Sequence, residues 1–202
     1  MGVRTINEEH FDLLREIGNI GAGNAITAIS SLLNKKVDMV VPVVKMVEFK
    51  DIADSIGGAE NLIISVLVKT TGDINGLMLF CIEQETAHVF VNTLLGKAHS
   101  SYLDFSEMEM SVLQEIGNMV AGSYLGSLAT LTGKKITPSV PYLAIDMAGA
   151  ILSVPAVEFG KVADHVLFIE SIFQTTDEYA SGYFLLVQEM ESYDVILKSL
   201  GV

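Results

Sequence analysis

The chain has 202 residues, of which 50% are hydrophobic and 18% charged, so it can bury a sizeable core and long disorder is not expected. Its 12 Lys and Arg against 25 Asp and Glu give a formal net charge of -13 at pH 7, which argues against a nucleic-acid-binding surface and a basic membrane anchor. The single cysteine, Cys81, excludes an internal disulfide and a cysteine-rich zinc site.

The compartment follows from cysteine usage and hydropathy. One unpaired cysteine is typical of a reducing compartment. No stretch reaches the roughly 18 to 20 uninterrupted apolar residues that a bilayer span needs, and the start of the sequence lacks the apolar core of a signal peptide. We therefore expect a cytoplasmic protein without membrane insertion.

The first half of the chain predicts, in order, a long helix, a strand, a hairpin and a shorter helix. Apolar residues recur at helical spacing up to Leu33, and Asn34 is a plausible stop. A β-branched run around Pro42 follows, and then two strands flank a turn at 72–76. The predicted segments are 11–33, 37–47, 62–71 with 76–83, and 84–95.

The second half predicts the same order of elements. Ser106 and Glu109 fit a capping box at the start of a long helix that continues to Gly133. The strands expected after it are 166–174 and 183–188 with a turn around 177–182, and a last helix covers 190–200. Because hairpin strands pair antiparallel, the pattern favours an α+β fold with an antiparallel or mixed sheet.

A repeat organises the whole chain. The residues Glu16-Ile17-Gly18-Asn19 reappear 99 positions later as Glu115-Ile116-Gly117-Asn118. Further identities at the same offset extend through Pro42 and Pro141. We predict one domain, residues 1–202, built from two pseudosymmetric repeats of about 1–100 and 101–202.

Each repeated helix carries a polar pair. Glu16 and Asn19 are three residues apart and therefore neighbours on one helical face, as are Glu115 and Asn118. A carboxylate beside an amide that both donates and accepts hydrogen bonds can orient a water molecule without a metal. A solvated helix face is the alternative interpretation of either copy alone, and duplication argues against it.

Small residues on the same helices predict how they pack. An interior glycine costs roughly 1 kcal/mol relative to alanine, so close approach of another backbone would explain its presence. We predict that the two long helices pack together through these positions and leave their Glu and Asn faces outward. The small residues are Gly18, Gly21, Ala22 and Ala25 in one copy, and Gly117, Ala121, Gly122 and Gly126 in the other.

No other credible catalytic set is present in the sequence. The four histidines, His10, His88, His99 and His165, are scattered and show no metal-binding helical spacing. Cys81 falls in the middle of a predicted strand, where a buried structural thiol is expected. We expect no metal or cofactor of the protein's own.

The spacing of the repeated polar residues resembles the motif of the CheC-type phosphatases of bacterial chemotaxis. That motif is Asp or Ser, three residues, Glu, two residues, Asn, then 22 residues and Pro. The chain carries it twice, and the resemblance covers nearly its full length. The matching residues are Asp12, Glu16, Asn19 and Pro42 in the first copy, and Ser111, Glu115, Asn118 and Pro141 in the second.

The resemblance implies hydrolysis of the aspartyl phosphate on the response regulator CheY. In this family Glu16 and Glu115 would face the regulator's active-site lysine, and Asn19 and Asn118 would orient the attacking water. The phosphorylated regulator would supply Mg²⁺. Positioning is the main contribution in phosphoryl transfer, so little more is needed. Asp12 and Ser111 would support the helix face, and the two prolines would shape the strand that follows.

The two copies differ after the motif proline, where Asp146 replaces the apolar Val47. An acid in this apolar run is either a helix cap or a partner contact. The resemblance implies CheD, a receptor-modifying deamidase, as a partner, and Ile145, Asp146 and Met147 are candidates for that interface. A noncatalytic adaptor that binds CheD or a flagellar switch component is the alternative to a phosphatase.

Overall fold

The computed structural model describes residues 8–34, 36–96, 105–159, 165–174 and 179–201. Within these ranges it contains six α-helices and seven strands, which confirms the α+β class. The helices are α1 (Glu8–Leu33), α2 (Ile52–Ser55), α3 (Gln84–Leu95), α4 (Glu107–Thr132), α5 (Ala148–Phe159) and α6 (Met190–Ser199). The strands are β1 (Asp38–Glu48), β2 (Leu62–Gly72), β3 (Gly76–Glu83), β4 (Ile136–Pro138), β5 (Tyr142–Met147), β6 (His165–Gln174) and β7 (Tyr179–Gln188).

The ends of the two long helices match their sequence signals. At the start of α4 the Ser106 backbone N–H donates to Glu109 Oε2 at 2.8 Å, and the Glu109 N–H donates to Ser106 Oγ at 3.4 Å. This reciprocal pair is the predicted capping box. Beyond the last turns, Asn34 and Gly133 take the left-handed conformation with φ of 47° and 64°. Such residues terminate helices because the chain can no longer continue the helical hydrogen bonds.

All the strands belong to one antiparallel sheet with the order β1-β6-β7-β3-β2-β4, and β5 also pairs with β2. At its centre β3 pairs with β7, and Leu79 lies opposite Leu185. These two leucines are 106 residues apart, the offset that also relates Gly76 to Gly182. The register around them is therefore symmetric about this pair, as expected for pseudosymmetric repeats.

The outer strands exchange partners between the two halves of the chain. Strand β1 follows the first long helix but pairs with β6 of the second half. Strand β5 follows the second long helix but pairs with β2 of the first half. The sheet therefore cannot be divided between the halves without breaking backbone ladders, and the single domain built from two repeats stays a prediction.

The sheet separates two hydrophobic clusters because successive strand side chains alternate between its faces. On one face Met78 and Phe80 of β3 pack beneath α1, α3, α4 and α6. On the other face Leu77, Leu79 and Cys81 pack beneath α2 and α5. The sheet thus has helices on both sides, and α1 and α4 lie together on the first face.

The helix packing is confirmed, but the role predicted for the glycines is only partly right. Gly21 faces the ring of Tyr124 on α4, as expected for a contact between the helices. Gly18 instead faces Val44 of β1, and Gly117 faces Val66 of β2, so both let their helices approach the sheet. The other two helical glycines of the second copy, Gly122 and Gly126, face open space.

Two stretches differ from the sequence prediction. The turn predicted at 177–182 is wrong from residue 179 onward, because β7 already begins at Tyr179, and residues 175–178 lie outside the described part of the chain. The ladder to β6 explains this, since Tyr179 to Gly182 find backbone partners in β6 that local sequence does not reveal. Helix α5 was not predicted, because Gly149 and Pro155 lie within it.

Substitutions at two glycines of α4 should have opposite effects on stability. In Gly117→Ala the new methyl group would overlap Val66, and we expect the free energy of unfolding to fall by about 1 to 3 kcal/mol. In Gly122→Ala the methyl group meets nothing, so we expect a gain of up to about 1 kcal/mol from helix propensity. Urea denaturation measures both. Equal destabilisation by the two variants would contradict this account.

Burial should make Cys81 chemically inert. It is fully buried, donates to Ser65 Oγ at 3.4 Å, and burial raises the pKa of its thiol from 9.0 to about 12. We expect no modification by a thiol reagent near neutral pH until urea unfolds the protein, with Cys81→Ala as the unreactive control. Because the folded-state pKa is the higher one, the stabilisation due to this thiol is complete below pH 9.0 and is lost between 9.0 and about 12. Stoichiometric labelling of the native protein would refute the assignment.

Candidate functional site

The first candidate site lies on the outward face of α1. The buried residues Leu14, Ile17 and Gly18 fix this helix against the core. The helical period then turns Glu16 to solvent and leaves Asn19 half-buried at the edge of the same face. The structure therefore brings the predicted Glu and Asn together.

The side-chain oxygen of Asn19 has no hydrogen-bond partner among the described residues. This atom, Oδ1, is buried. A buried acceptor without a donor costs free energy. Asn92 Oδ1, which belongs to neither pair, is in the same situation, so the feature by itself does not distinguish a ligand-positioning amide from a structural one.

An ion pair flanks the first site. An Arg15 guanidinium nitrogen lies 2.9 Å from Asp12 Oδ1, with both side chains largely exposed. An exposed pair three residues apart on a helix contributes little to stability. The pair lies next to Glu16 on the helix, and the supporting role expected for Asp12 stays a prediction.

The second candidate site lies on α4 and is more open. Glu115 and Asn118 are both exposed, while Ile116 and Gly117 between them are buried against the sheet. Ser111, at the position equivalent to Asp12, is exposed and its Oγ donates to the Glu107 carbonyl at 3.0 Å. Its hydroxyl therefore bonds to its own helix and makes no ion pair.

The two motif prolines have different surroundings. Pro42 lies within β1, at the point where the register with β6 shifts between Val40 and Val43. A proline fits such an irregularity because it has no N–H to donate to the ladder. Pro141 lies immediately before β5, and its carbonyl accepts a hydrogen bond from Gln114 Nε2 at 2.9 Å.

Sequence reasoning did not find Gln114. It lies one residue before Glu115 and its partner is 27 residues away, so the contact depends on how α4 packs beside β5. The one sequence feature that could have drawn attention to Gln114 is its position in the repeat, where the first copy has Arg15 instead.

A shallow groove of about 630 Å³ runs between α1 and α4. The residues that line it are mostly small and uncharged, and Asn24 Nδ2 on α1 donates a hydrogen bond across the groove to Ser127 Oγ on α4 at 2.8 Å. Ile20, one residue after Asn19, lies at its edge. The groove thus separates the two long helices on their solvent side without burying either candidate pair.

The other titratable residues form no competing site. His88 stacks on Phe105 with ring centroids 4.4 Å apart, a packing contact. His99 lies outside the described residues. Within the described ranges no three His, Cys, Asp or Glu side chains come close enough to hold a metal ion, and no helix is long and apolar enough to cross a membrane.

Asp146 is not a helix cap, so that interpretation is wrong. It lies within β5, and its Oδ1 accepts from the Met147 N–H at 2.7 Å. The first N–H groups of α5 bond instead to backbone carbonyls, Ala148 to Asn61 at 2.8 Å and Gly149 to Ala59 at 2.9 Å. A side-chain cap is unnecessary where carbonyls already satisfy these donors.

The surroundings of Asp146 form an exposed surface of mixed character. The carboxylate and Met147 are exposed, whereas Ile145 packs against the core. Further large apolar side chains are exposed nearby in the sequence, on β5 and α5: Tyr142, Val154 and Val157. Of the three residues predicted for a partner interface, two are therefore accessible. We name Tyr142, Asp146, Met147, Val154 and Val157 the β5–α5 surface.

Comparisons with known proteins place the chain among chemotaxis and flagellar proteins. A model of the CheC-like family matches residues 9–46 and 108–145, the segments that carry the two Glu and Asn pairs. The chain is 37% identical over 200 residues to the CheY-P phosphatase CheC of Bacillus subtilis, which covers 97% of this chain and 96% of that protein.

Two further relatives have a flagellar name. The flagellar motor switch phosphatase FliY of Bacillus subtilis is 31% identical over 140 residues, which are 69% of this chain and 36% of that longer protein. The crystal structure of Thermotoga maritima FliY superposes with a TM-score of 0.76 over 96% of each chain at 22% identity, which shows a common fold.

Proposed function

The chain belongs to the CheC-like family, and from this membership we propose that it is a hydrolase that dephosphorylates phosphorylated CheY. The near-complete match to a relative named CheY-P phosphatase CheC supports the activity. The single observation that supports a catalytic rather than a docking role is the duplicated Glu and Asn pair, held outward on two helices that pack together.

We propose that Asn19 and Asn118 each orient a water molecule for attack on the aspartyl phosphate. An acyl phosphate is already reactive, so fixing the nucleophile in line with phosphorus is the main contribution left to the phosphatase. The repetition of an amide beside a Glu on both helices supports this role, since Asn118 is exposed and Asn19 lies at the edge of the outward face of α1. The regulator supplies the Mg²⁺ that neutralises the phosphoryl charge.

Glu16 and Glu115 have a docking role in this proposal. Each is exposed beside its Asn, and each would pair with a lysine in the regulator's active site. A carboxylate near phosphate and acidic metal ligands is tolerable only when a cation partners it. With a formal net charge of -13, the chain offers no long-range attraction to an acidic pocket, so recognition depends on this local fit.

We further propose that the β5–α5 surface binds CheD. Asp146 is exposed and does not act as a helix cap, and large apolar side chains of β5 and α5 are also exposed. Exposed apolar side chains are typical of a protein interface. The cytoplasmic location and the absence of nucleic-acid binding stay predictions from the composition.

A noncatalytic adaptor remains the second candidate function. The exposed apolar residues of the β5–α5 surface favour it, because they suit binding and need no chemistry. It does not account for the duplicated amides, since a docking ridge has no need of an Asn in the same place twice.

Removal of the two amides should abolish the activity. We expect Asn19→Ala plus Asn118→Ala to return the decay of phosphorylated CheY to the rate of CheY alone, because no side chain would then fix the water. Phosphate release in the presence of each single variant shows which site works. Loss in one single variant assigns the chemistry to that repeat.

The control for this experiment is Asn24→Ala, which removes another Asn from α1 without touching either pair. It should retain the activity, and the double variant should still bind phosphorylated CheY. Full activity of the double variant would refute the roles of the two amides. If the wild-type protein does not accelerate the dephosphorylation of CheY, even with CheD added, the phosphatase proposal fails and the adaptor becomes the favoured function.

Substitution of Asp146 should weaken the complex with CheD. We expect Asp146→Ala to raise the dissociation constant by roughly tenfold, because one charged contact within an apolar surface is lost. Isothermal titration calorimetry measures the constant. The matched control is Glu85→Ala, an exposed carboxylate in the first turn of α3, away from the β5–α5 surface. Equal affinities for all three proteins would exclude Asp146 from the interface.

A further inference from the structure

One hydrogen bond ties the second candidate site to the sheet. Gln114 Nε2 donates to the Pro141 carbonyl at 2.9 Å, and both residues are half-buried. Partial burial reduces the competition from water, so the bond has one defined geometry. It joins α4 to the residue immediately before β5.

The position of Gln114 on the helix gives this bond its significance. Gln114 is adjacent to Glu115 in sequence and one helical turn before Asn118, so it shares a face with Asn118. An α-helix is rigid over one turn. A bond at residue 114 therefore adds to the burial of Ile116 and Gly117 in holding the rotation of α4 that sets the direction of both side chains of the pair.

The acceptor is itself held in place. The Pro141 carbonyl shares a planar peptide unit with the N–H of Tyr142, so its direction follows from the placement of Tyr142. The next residue, Tyr142, already pairs with Leu67 of β2. The ladder between β5 and β2 thus holds the Pro141 carbonyl in place at the edge of the sheet.

Among the contacts of the described side chains, the first site shows no equivalent anchor. The residue in the position of Gln114 is Arg15, and its guanidinium pairs with Asp12 on the same helix. Pro42 lies inside β1 rather than before it. A contact within one helix cannot fix that helix against the sheet.

We infer that Gln114 is a positioning residue for Glu115 and Asn118 and acts on the second site alone. The inference rests on the proposed phosphatase function. It assigns a role to Pro141 as well, because the carbonyl of that proline is the acceptor on which the positioning depends.

The test uses the full-length Asn19→Ala variant, in which only the second site can work. Two second substitutions are made in this variant. Gln114→Ala removes the side-chain N–H donor, and Gln114→Glu keeps the size of the side chain but places a carboxylate against the Pro141 carbonyl. We expect both to lower kcat for phosphorylated CheY by at least about fivefold with little change in KM, since the regulator still docks but the amide is misdirected. Thermal unfolding checks that each variant is folded.

Two further variants separate positioning from general stability. Gln114→Lys keeps a donor of similar reach and should restore most of kcat. Asn61→Ala removes another side-chain bond to a carbonyl, that of Asn61 Nδ2 to Ile56 at 2.7 Å, and should lower the melting temperature without lowering kcat.

Each outcome decides the question. Unchanged kcat in Gln114→Ala overturns the inference while the Asn19→Ala activity upholds the proposed function. An effect confined to KM in Gln114→Glu also overturns it, since that would be charge repulsion of the regulator. If the wild type is active and Asn19→Ala is inactive, the inference is overturned as well, because the second site would then have no activity for Gln114 to support. An inactive wild type instead removes the proposed function.

Discussion

The pairing of β3 with β7 is the constraint on which the rest of the structure depends. Leu79 and Leu185 lie opposite one another at the centre of this ladder. The hairpins of the two halves thereby form a continuous sheet, and the long helices that precede them lie side by side on one face. The closeness of α1 and α4, and with it the presence of two Glu and Asn pairs on one surface, follows from that central register.

The helices themselves resolve a conflict between packing and exposure. Each buries a face against the sheet, and the proposed function requires each also to present a carboxylate and an amide to a partner. The sequence Glu-Ile-Gly-Asn satisfies both demands within one turn, since its middle two residues are buried and its ends face outward. Gly117 lets α4 approach Val66 closely, so Glu115 and Asn118 project from a helix that packs tightly against the sheet.

Much of this architecture is readable from the sequence, because the signals are local. The capping box at Ser106, the stop at Asn34 and the turn at 72–76 each depend on residues within one turn. The pairing of α1 with α4 and the candidate pairs follow from the repeat. What stayed hidden depends on contacts between distant segments: β7 extends to Tyr179 through its ladder with β6, and the backbone carbonyls that start α5 leave Asp146 without a capping role. Gln114 is hidden for the same reason.

The exchange of β1 and β5 between the halves has a consequence for how the molecule could diversify. Two separate copies of one repeat, related by a two-fold axis, could build the same sheet, each lending its outer strand to the other. In such a dimer every substitution would appear twice, and the two candidate sites would remain identical. When the two copies are joined in one polypeptide chain, as they are here, each can change independently of the other. Arg15 can then differ from Gln114 and Asp12 from Ser111, so one scaffold carries two surfaces that selection can tune independently.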